Sequence, residues 1–591
     1  MDNIEALYAK PLPSSRSGAF YNSFPYPTKI SPETIAVYIA CTTNPGDTVL
    51  DAFAGSGSTG VASLLCEHPT KRMEDIAKSL NVTPVWGARN AVLYEIGTYA
   101  SFAIKTILSR ITSREFTEAF NEFIKKAQSL VGDLYEAKDP DGATGNIRYI
   151  IWSEILECPS CHAEISYFKE GTSRNPVKFK KEIVCPRCKK VHRVDEMHFV
   201  TEKYYDNLLK RHAVRKKRIP AWIYGTTGGH NWDRQATQAD EDRAKEIEDT
   251  YLSDDAPQEI HWGELHRAGY HYGITHLHHF YTARNYIVMS RLWKLTETYP
   301  EKIADALKLM LLSYNSSHCT LMTRVVAKQN AKDFILTSAQ SGILYISKLP
   351  VEQNIILGLN RKEKPFAETF SMLQDCNGHV ILHNCSSAKM VENDNSIDFV
   401  FTDPPFGDFI PYAEVNQINE LWLKQVTHRE DEIIISASQG KDVATYQKLL
   451  AQVFGEINRV LKPNHYASVV FHAAKARIWD AFGEAVTSAG LQIVRTNILD
   501  KTQASFKQIV SDGSVQGDPL FLLKKGSTNK HKSQLTDEVI LHSLVAEHLN
   551  DPDFNKRVCF SWYVNSCMKL GVDVKMDAKQ VYAYIDSQKG I

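Results

Sequence analysis

The sequence predicts an α/β fold with a doubly wound parallel sheet, and two stretches of the chain indicate it. A short apolar run at 48–51 leads into the glycine loop AFAGSGSTG at 52–60, which a helix-like segment follows. Strand, glycine loop and helix form the nucleotide-binding start of such a sheet. A second apolar run at 91–94 ends in Glu95, where an acid commonly binds ribose hydroxyls. We therefore expect a cofactor at this edge of the sheet.

Five further β-rich runs bring the predicted sheet to seven strands, the last two of them an antiparallel pair: 379–382, 397–400, 467–471, 491–494 and 520–523. Periodicity of 3.6 residues predicts the longer helices at 115–130, 282–296, 301–312 and 446–461. The second and third strands are separated by far more residues than a loop contains. We therefore expect a large insertion between them.

Length and composition describe a multidomain globular protein. A chain of 591 residues is too long for one compact core, and 43% hydrophobic with 23% charged residues is ordinary. The net charge of -1 restricts any nucleic-acid surface to a local patch. No apolar stretch reaches membrane-spanning length, and the first residues lack the pattern of a secretory signal. These features, with eleven cysteines, an odd number, predict a reducing, cytoplasmic location.

The run at 397–400 leads into Thr402-Asp403-Pro404-Pro405-Phe406-Gly407. Proline fixes φ and has no N–H, so the two prolines form a stiff corner. Such a corner can hold the Asp403 carboxylate and the Pro404 carbonyl as two acceptors beside the flat Phe406 ring. A planar group with an exocyclic amine matches that arrangement. The alternative is an ordinary turn at the end of a strand.

Two C-x-x-C pairs predict a zinc ribbon. Cys158 and Cys161 are separated from Cys185 and Cys188 by a segment that reads as a β-hairpin. Four thiolates fill a tetrahedral coordination sphere, so we expect a structural zinc ion.

A basic run follows the second cysteine pair, and beside a zinc ribbon it favours phosphate contacts. The alternative is a solvated charged face. The candidate residues are Lys210, Arg211, Arg215, Lys216, Lys217 and Arg218.

A histidine-rich tract lies further along, at His261, His266, His271, His276, His278 and His279. Its aromatic neighbours favour packing or phosphate contact over a second metal site.

Four motifs together resemble the S-adenosylmethionine-dependent amino-methyltransferases of prokaryotic DNA: FPYPTK, NPGDTVLDAFAGSGSTG, YEIG and TDPPF. The resemblance implies a Rossmann-like methyltransferase sheet with a large zinc-ribbon and helical insertion and a small helical C-terminal unit. It implies that the cofactor is held by Phe24, Pro25, Lys29, Asp51, Phe53, Gly55, Gly57 and Glu95. Asn384 and Cys385 stand where the family commonly has an aspartate that contacts the adenine of the cofactor, which is a departure.

The same resemblance implies that Asp403, Pro404, Pro405 and Phe406 hold a base flipped out of double-stranded DNA, with N6 of adenine as the methylated atom. Cytosine N4 is the first alternative, although the family's cytosine-amine members more often have serine before the two prolines. A transfer-RNA base methyltransferase and a non-catalytic DNA-binding subunit are the others. The resemblance also allows restriction or defence proteins as partners and a location at the nucleoid.

Four segments are expected from these features. Residues 1–110 and 375–526 form the two parts of the methyltransferase domain, which the insertion at 111–374 interrupts. The zinc ribbon occupies 158–188, and the insertion is the expected DNA-recognition region. After a polar linker at 525–532, residues 535–591 form the helical C-terminal unit.

Overall fold

The structure, a computed structural model, describes residues 3–9, 12–14, 17–250, 255–501, 518–526, 535–551 and 554–588. Its central element is an eight-stranded mixed sheet. In chain order the strands are β1 (Leu12–Ser14), β2 (Thr48–Asp51), β3 (Asn90–Tyr94), β4 (Val380–His383), β5 (Ile397–Thr402), β6 (Leu461–Val470), β7 (Leu491–Lys501) and β8 (Asp518–Lys525). Their order in the sheet is β1-β7-β8-β6-β5-β2-β3-β4.

The strand order confirms the predicted Rossmann-like methyltransferase fold. Strands β4, β3, β2, β5 and β6 pair in parallel, whereas β8 pairs antiparallel with both β6 and β7. All seven predicted runs are strands, and the short β1, which pairs parallel with β7, is an unpredicted eighth. The order reverses between β2 and β5, and ligands of such sheets bind outside the carboxyl ends of the strands at that point.

Helices cover the sheet, which explains why its strands read as continuous apolar runs. Every residue of β5 is buried, as expected for a parallel strand covered on both faces. Among the described helices, none is long and apolar enough to cross a membrane. The helices of the sheet region are Asn3–Leu7, Ala19–Ser23, Pro32–Thr42, Ser58–Leu65, Lys71–Leu80, Thr98–Ile107, Tyr412–Glu420, Val443–Val460 and Ala476–Ser488.

The insertion has a helical part and a β-rich part. The helical part shares the core of the sheet region, where the Phe116 ring stacks on Phe366 with centroids 5.7 Å apart. Its helices are Ser113–Val131, Ala283–Thr296, Glu301–Tyr314, Ile355–Leu359 and Glu363–Leu373. The helices Tyr167–Gly171 and Gln238–Thr250 belong to the β-rich part.

The β-rich part is built around two long antiparallel strands, Thr144–Glu157 and Arg218–Thr227. The cysteine pairs lie in a separate small core with Ile165 and Ile183. The other strands are Glu136–Lys138, Glu164–Ser166, Thr172–Arg174, Val177–Phe179, Glu182–Val184, Val191–Arg193, His198–Phe199, Thr201–Asp206, Arg211–Lys216, His230–Gln235, Arg324–Val326, Ile335–Thr337 and Val351–Gln353.

The C-terminal unit is helical, as predicted, and packs on the sheet region. Its helices are Asp537–His548, Lys556–Leu570 and Ala578–Gln588. The backbone N–H of Ala476 donates to Asp577 Oδ1 at 2.5 Å, and that of Ala578 donates to the carbonyl of Ala474 at 2.9 Å. The helix Lys556–Leu570 of this unit also lies against β7. Most of the predicted polar linker, 527–532, lies outside the described residues.

Candidate active site

A cavity of about 120 Å³ opens at the carboxyl ends of β2 and β5, where the strand order reverses. Eight of the predicted site residues line it: Lys29, Asp51, Phe53, Gly55, Glu95, Cys385, Asp403 and Pro405. The glycine loop and the Asp-Pro-Pro loop thus face the same space, because they leave adjacent parallel strands. Predicted residues outside the lining are Phe24, Pro25, Gly57, Asn384, Pro404 and Phe406.

Asp51 connects the two loops. Its carboxylate accepts hydrogen bonds from the hydroxyls of Thr59 and Thr402, both at 2.7 Å, and from the backbone N–H of Phe53 at 3.1 Å. Burial raises the pKa of Asp51, and the three donors oppose that rise. The side chain therefore acts as a buried brace between β2, β5 and the helix that follows the glycine loop.

Two glycines give the loop its shape. Gly55 and Gly57 have φ of 52° and 79°, in the left-handed region that disfavours other residues. A Cβ on Gly55 would lie 3.1 Å from Cε1 of Tyr26, and a Cβ on Gly57 would lie 2.8 Å from Cγ1 of Ile104. Gly55 therefore leaves room at the cavity wall, whereas Gly57 allows the loop to pack on the helix Thr98–Ile107.

Glu95 lies opposite the glycine loop. Its two carboxylate oxygens accept the backbone N–H groups of Gly55 and Gly97, both at 2.6 Å. Burial raises the pKa of Glu95 to about 7, and the nearby Asp51 and Glu420 carboxylates add to the rise. Glu95 thus lies in the cavity as an acceptor whose charge changes near neutral pH.

Lys29 is held by the aromatic segment that precedes it. Its ammonium nitrogen lies 3.8 Å from the centroid of Phe20 and 3.7 Å from that of Phe24, and it donates to both backbone carbonyls. Burial lowers the pKa of Lys29 well below its usual range. The predicted role of Phe24 as a cofactor contact becomes a supporting one, because its ring packs against the lysine.

The Asp-Pro-Pro loop is fastened from behind. The Tyr446 hydroxyl donates to the Pro405 carbonyl at 2.6 Å. Asp403 is half-buried in the cavity wall, but Phe406 is only 6% exposed and packs edge-on against Phe471, with centroids 5.7 Å apart. The predicted stacking of Phe406 on a ligand therefore does not fit its position, because little of its side chain is accessible.

Two tyrosines supply aromatic rings to the cavity instead. The rings of Tyr26 and Tyr412 are stacked with centroids 6.0 Å apart and an angle of 18° between their planes. Burial raises the pKa of Tyr412, and the Asp403 carboxylate adds to that rise. Tyr26 lies inside the FPYPTK motif, which could have identified it, but no spacing signal marks Tyr412.

Asn384 and Cys385, which stand where the family commonly has an aspartate, have different surroundings. The Asn384 amide donates to the Glu95 carbonyl and to the Ser101 hydroxyl, both at 2.8 Å, so it braces β3 from outside the cavity. Cys385 is exposed and lines the cavity beside Ser386. Of the two, only Cys385 lies where a ligand could contact it.

The four predicted zinc ligands converge. Their sulfur atoms all lie within 4.8 Å of one another, with 3.7 Å between Cys158 and Cys188 and 3.6 Å between Cys161 and Cys185. Zinc–sulfur bonds of about 2.3 Å in a tetrahedron place sulfurs about 3.8 Å apart. The donor set therefore fits one zinc ion, and all four thiols are free of disulfides.

Most of the basic run is neutralised inside the insertion. Its pairs are Arg215 with Glu202 and Glu248, Lys216 and Arg218 with Glu154, and Lys217 with Glu164. The side chain of Lys216 is 5% exposed and that of Arg218 is 11% exposed. The predicted phosphate contacts are not supported at 215–218, because each of these charges has an acidic partner and Lys216 is buried. Lys210 and Arg211 are exposed.

Two histidines of the tract converge on Asp206, and their ligand atoms lie within 4.8 Å of one another. His278 and His279 both contact Asp206 Oδ2 through Nε2, at 3.0 and 2.7 Å. The Nδ1 atom of His279 accepts the backbone N–H groups of Thr275 and His276, so the proton must lie on its Nε2. A protonated Nε2 cannot ligate a metal. Burial lowers the pKa of His279 to about 4, which keeps its ring neutral.

One protein family matches part of the chain. The family model N6_N4_Mtase, described as DNA methylase, matches residues 4–68. That segment contains FPYPTK and the glycine loop, whereas the Asp-Pro-Pro loop lies outside it. A search of curated proteins finds no significant match.

Solved structures resemble short portions of the chain. A methyltransferase from Methanosarcina mazei is 10% identical over 26% of this chain and 69% of its own, with a TM-score of 0.15. Geranyl diphosphate C-methyltransferase from Streptomyces coelicolor A3(2) is 11% identical over 26% and 56%, with a TM-score of 0.16. The antibiotic-resistance methyltransferase Kmr is 13% identical over 28% and 73%, also at 0.16. These TM-scores are too low to assign an activity. The function proposed below therefore rests on the chain's own residues.

Proposed function

We propose that this chain is an S-adenosylmethionine-dependent DNA methyltransferase that modifies the exocyclic N6 amine of adenine. One observation carries the proposal: the glycine loop after β2 and the Asp-Pro-Pro loop after β5 line the same cavity. A methyl donor and an acceptor amine must meet at such a junction. The DNA methylase model at residues 4–68 supports the same class, for N6 and N4 amines alike.

The chain's residues fit the proposed cofactor. When bound, S-adenosylmethionine supplies an electrophilic methyl group. Glu95 offers carboxylate oxygens to ribose hydroxyls, and the missing Cβ of Gly55 leaves space at the wall. The Asp51 brace keeps that wall in register with the Asp-Pro-Pro loop.

The proposed role of Asp403 is to accept a hydrogen bond from the target amine. The lone pair of that amine is delocalised into the base. Two acceptors, the Asp403 carboxylate and the Pro404 carbonyl, would draw the nitrogen towards a tetrahedral geometry and release the lone pair. Much of the acceleration then comes from positioning, which can contribute roughly 7–11 kcal/mol. Asp403 need not be a strong base, because the proton becomes acidic as methylation proceeds.

A base inside a duplex cannot reach this cavity and has to be flipped out. Stacking on the flipped base is assigned to Tyr26 and Tyr412, whose rings line the cavity beside Asp403. This replaces the stacking role expected of Phe406, whose ring is buried.

We further propose that the cysteine cluster holds a structural zinc ion. Four thiolates would complete its coordination, so no position is left for a substrate. The ion would then stabilise the small core that contains Cys158 and Cys185.

The experiment is methyl transfer from labelled S-adenosylmethionine to duplex DNA, followed by mass spectrometry of the nucleosides. We expect N6-methyladenine from the wild type and at least about a 100-fold lower rate from Asp403→Ala, with cofactor binding retained. Asp408→Ala is the matched control, since Asp408 lies on the same loop but is exposed and pairs with Lys475.

N4-methylcytosine in place of N6-methyladenine would correct the base. Methylation of transfer RNA but not of DNA would correct the nucleic acid. Full activity of Asp403→Ala would refute the assigned role, and cofactor binding without any transfer would favour a non-catalytic subunit.

A further inference from the structure

The two cysteine knuckles, residues 158–162 and 185–189, have the same backbone hydrogen bonds. The charged side chains around them have opposite signs. In the first, the N–H of His162 donates to the Cys158 carbonyl at 3.0 Å; in the second, the N–H of Lys189 donates to the Cys185 carbonyl, also at 3.0 Å. Residues Glu157 and Glu164 flank the first knuckle, and Glu157 contacts His162 at 2.5 Å. The second knuckle carries cations instead.

The segment 177–193, which we call the basic knuckle, contains seven Lys or Arg residues and one acid, Glu182. All eight of these side chains are exposed: Lys178, Lys180, Lys181, Glu182, Arg187, Lys189, Lys190 and Arg193. Such a concentration of one charge contrasts with the chain as a whole, whose net charge is -1. It provides the local patch that binding to an acidic polymer requires.

Few of these charges are neutralised by neighbouring acids. Arg193 pairs with Asp195 and lies near Glu196, at 2.7 and 3.7 Å. In the part of the chain that the structure describes, Lys178, Lys181, Arg187 and Lys190 form no ion pair with an acidic side chain. This is the reverse of residues 215–218, where every basic group has an acidic partner.

The knuckle is also held rigidly. Cys185 and Cys188 anchor it in the cysteine cluster, and the strands Glu182–Val184 and Val191–Arg193 pair antiparallel on either side. Val184 and Val191 face each other across that pair and are 52% and 57% exposed. Arg187, Lys189 and Lys190 are thus presented on a short hairpin that carries two of the four cysteines. Lys178 precedes that hairpin, on the strand Val177–Phe179, which pairs with Thr172–Arg174.

We propose that the basic knuckle contacts the phosphate backbone of double-stranded DNA and holds the duplex while a base enters the active site. This inference rests on the proposed function for the identity of the nucleic acid. Lys178, Arg187 and Lys190 are its principal cations. Because phosphate contacts carry no sequence information, the knuckle supplies affinity and orientation rather than recognition of a site.

The test compares full-length variants by fluorescence anisotropy with a labelled duplex over a series of salt concentrations. The triple variant Lys178→Glu, Arg187→Glu, Lys190→Glu should lose at least about 30-fold in affinity at low salt, and its log–log salt slope should fall by about 3. The matched control, Lys71→Glu, Lys448→Glu, Lys579→Glu, removes the same number of exposed cations outside the insertion. It should bind as tightly as the wild type, apart from a small loss from net charge.

Zinc content is measured on each variant. If the triple variant loses metal, the neutral set Lys178→Gln, Arg187→Gln, Lys190→Gln replaces it, and the same direction of change is expected. Wild-type affinity and slope in the metal-loaded variant would overturn the proposal, and so would equal losses in the control. Tighter binding of transfer RNA than of the duplex would overturn the choice of DNA.

The outcome is independent of the proposed activity. Absence of methyl transfer by the wild type would contradict the proposed function, whereas unchanged DNA affinity in the variant would contradict only the role of the knuckle. At saturating DNA and low salt, the triple variant should methylate at a rate within about 3-fold of the wild type, since its active site is unaltered.

Discussion

The hydroxyl of Thr402 donates a 2.7 Å hydrogen bond to Asp51 Oδ1, joining the last residue of β5 to the last residue of β2. Asp403 follows Thr402 directly, and the glycine loop follows Asp51. The bond therefore fixes the separation between the two loops that line the cavity. Thr59 donates to the other oxygen of the same carboxylate at 2.7 Å. Asp51 therefore also holds the helix that follows the glycine loop.

Replacing Thr402 with valine should impair activity without removing any cavity-lining group. The buried Asp51 carboxylate loses a donor, which should cost about 1–3 kcal/mol in the free energy of unfolding. Because the two loops lose their register, kcat should fall by about 10–100-fold. Denaturant unfolding and steady-state methyl transfer measure the two effects. Thr402→Ser keeps the hydroxyl and should stay within about 3-fold of the wild type; equal losses in both variants would assign the effect to packing.

Cofactor affinity should depend on pH through Glu95. Its pKa of about 7 means that the carboxylate is mostly charged above pH 7 and mostly protonated below it. A charged carboxylate is the better acceptor for ribose hydroxyls, so affinity should rise by up to about 10-fold between pH 6 and 8. Titration calorimetry across that range measures it. In Glu95→Gln the affinity should be lower and nearly independent of pH; an unchanged pH profile would assign the titration to another group.

The packing of the glycine loop can be separated from its backbone conformation. Gly57 and Gly46 both have positive φ, at 79° and 91°, but only a Cβ on Gly57 meets a neighbour within 4 Å. Each alanine variant should cost about 1–2 kcal/mol for the left-handed conformation. Gly57→Ala should lower the free energy of unfolding by about 1–3 kcal/mol more, because Ile104 must move. Thermal unfolding of the two variants measures the difference, and equal losses would contradict the contact.

Removing one thiolate should release the metal and weaken the ribbon. Cys185→Ser should reduce bound zinc from about one ion per chain to little, since a structural site needs all four ligands. Affinity for duplex DNA should fall, whereas cofactor affinity should not, because the cysteine cluster lies in a separate core. Elemental analysis and two binding titrations test this. Cys376→Ser alters a buried cysteine outside the cluster and should retain zinc; full zinc in Cys185→Ser would exclude the site.

Much of the fold could be predicted because its signals are local. Continuous apolar runs such as Ile397–Thr402 indicate strands buried on both faces, and the glycine loop follows β2 within one short stretch. The short β1 was missed because three residues carry too little pattern and its pairing partner is β7, far along the chain.

The roles of single side chains were predicted less completely. Arg218 and Glu154 lie 64 residues apart in the chain, and only the pairing of two distant strands brings their charges together. Phe406 reads as an exposed ring beside two prolines, but the core around Phe471 covers it. Tyr412 is the first residue of the helix Tyr412–Glu420. The start of that helix is held by Glu432, which is distant in the chain and accepts the backbone N–H of Ala413 at 3.0 Å.

The sequence by itself determined the sheet, the glycine loop, the Asp-Pro-Pro corner and the four convergent cysteines, because periodicity, backbone freedom and ligand spacing are properties of neighbouring residues. Only the tertiary structure decided which cations remain free of acids and which rings reach the cavity. Charge neutralisation and burial depend on partners that are distant in the chain. For that reason an exposed basic surface lies on the second cysteine knuckle, in residues 177–193, rather than on residues 215–218 of the basic run that follows it.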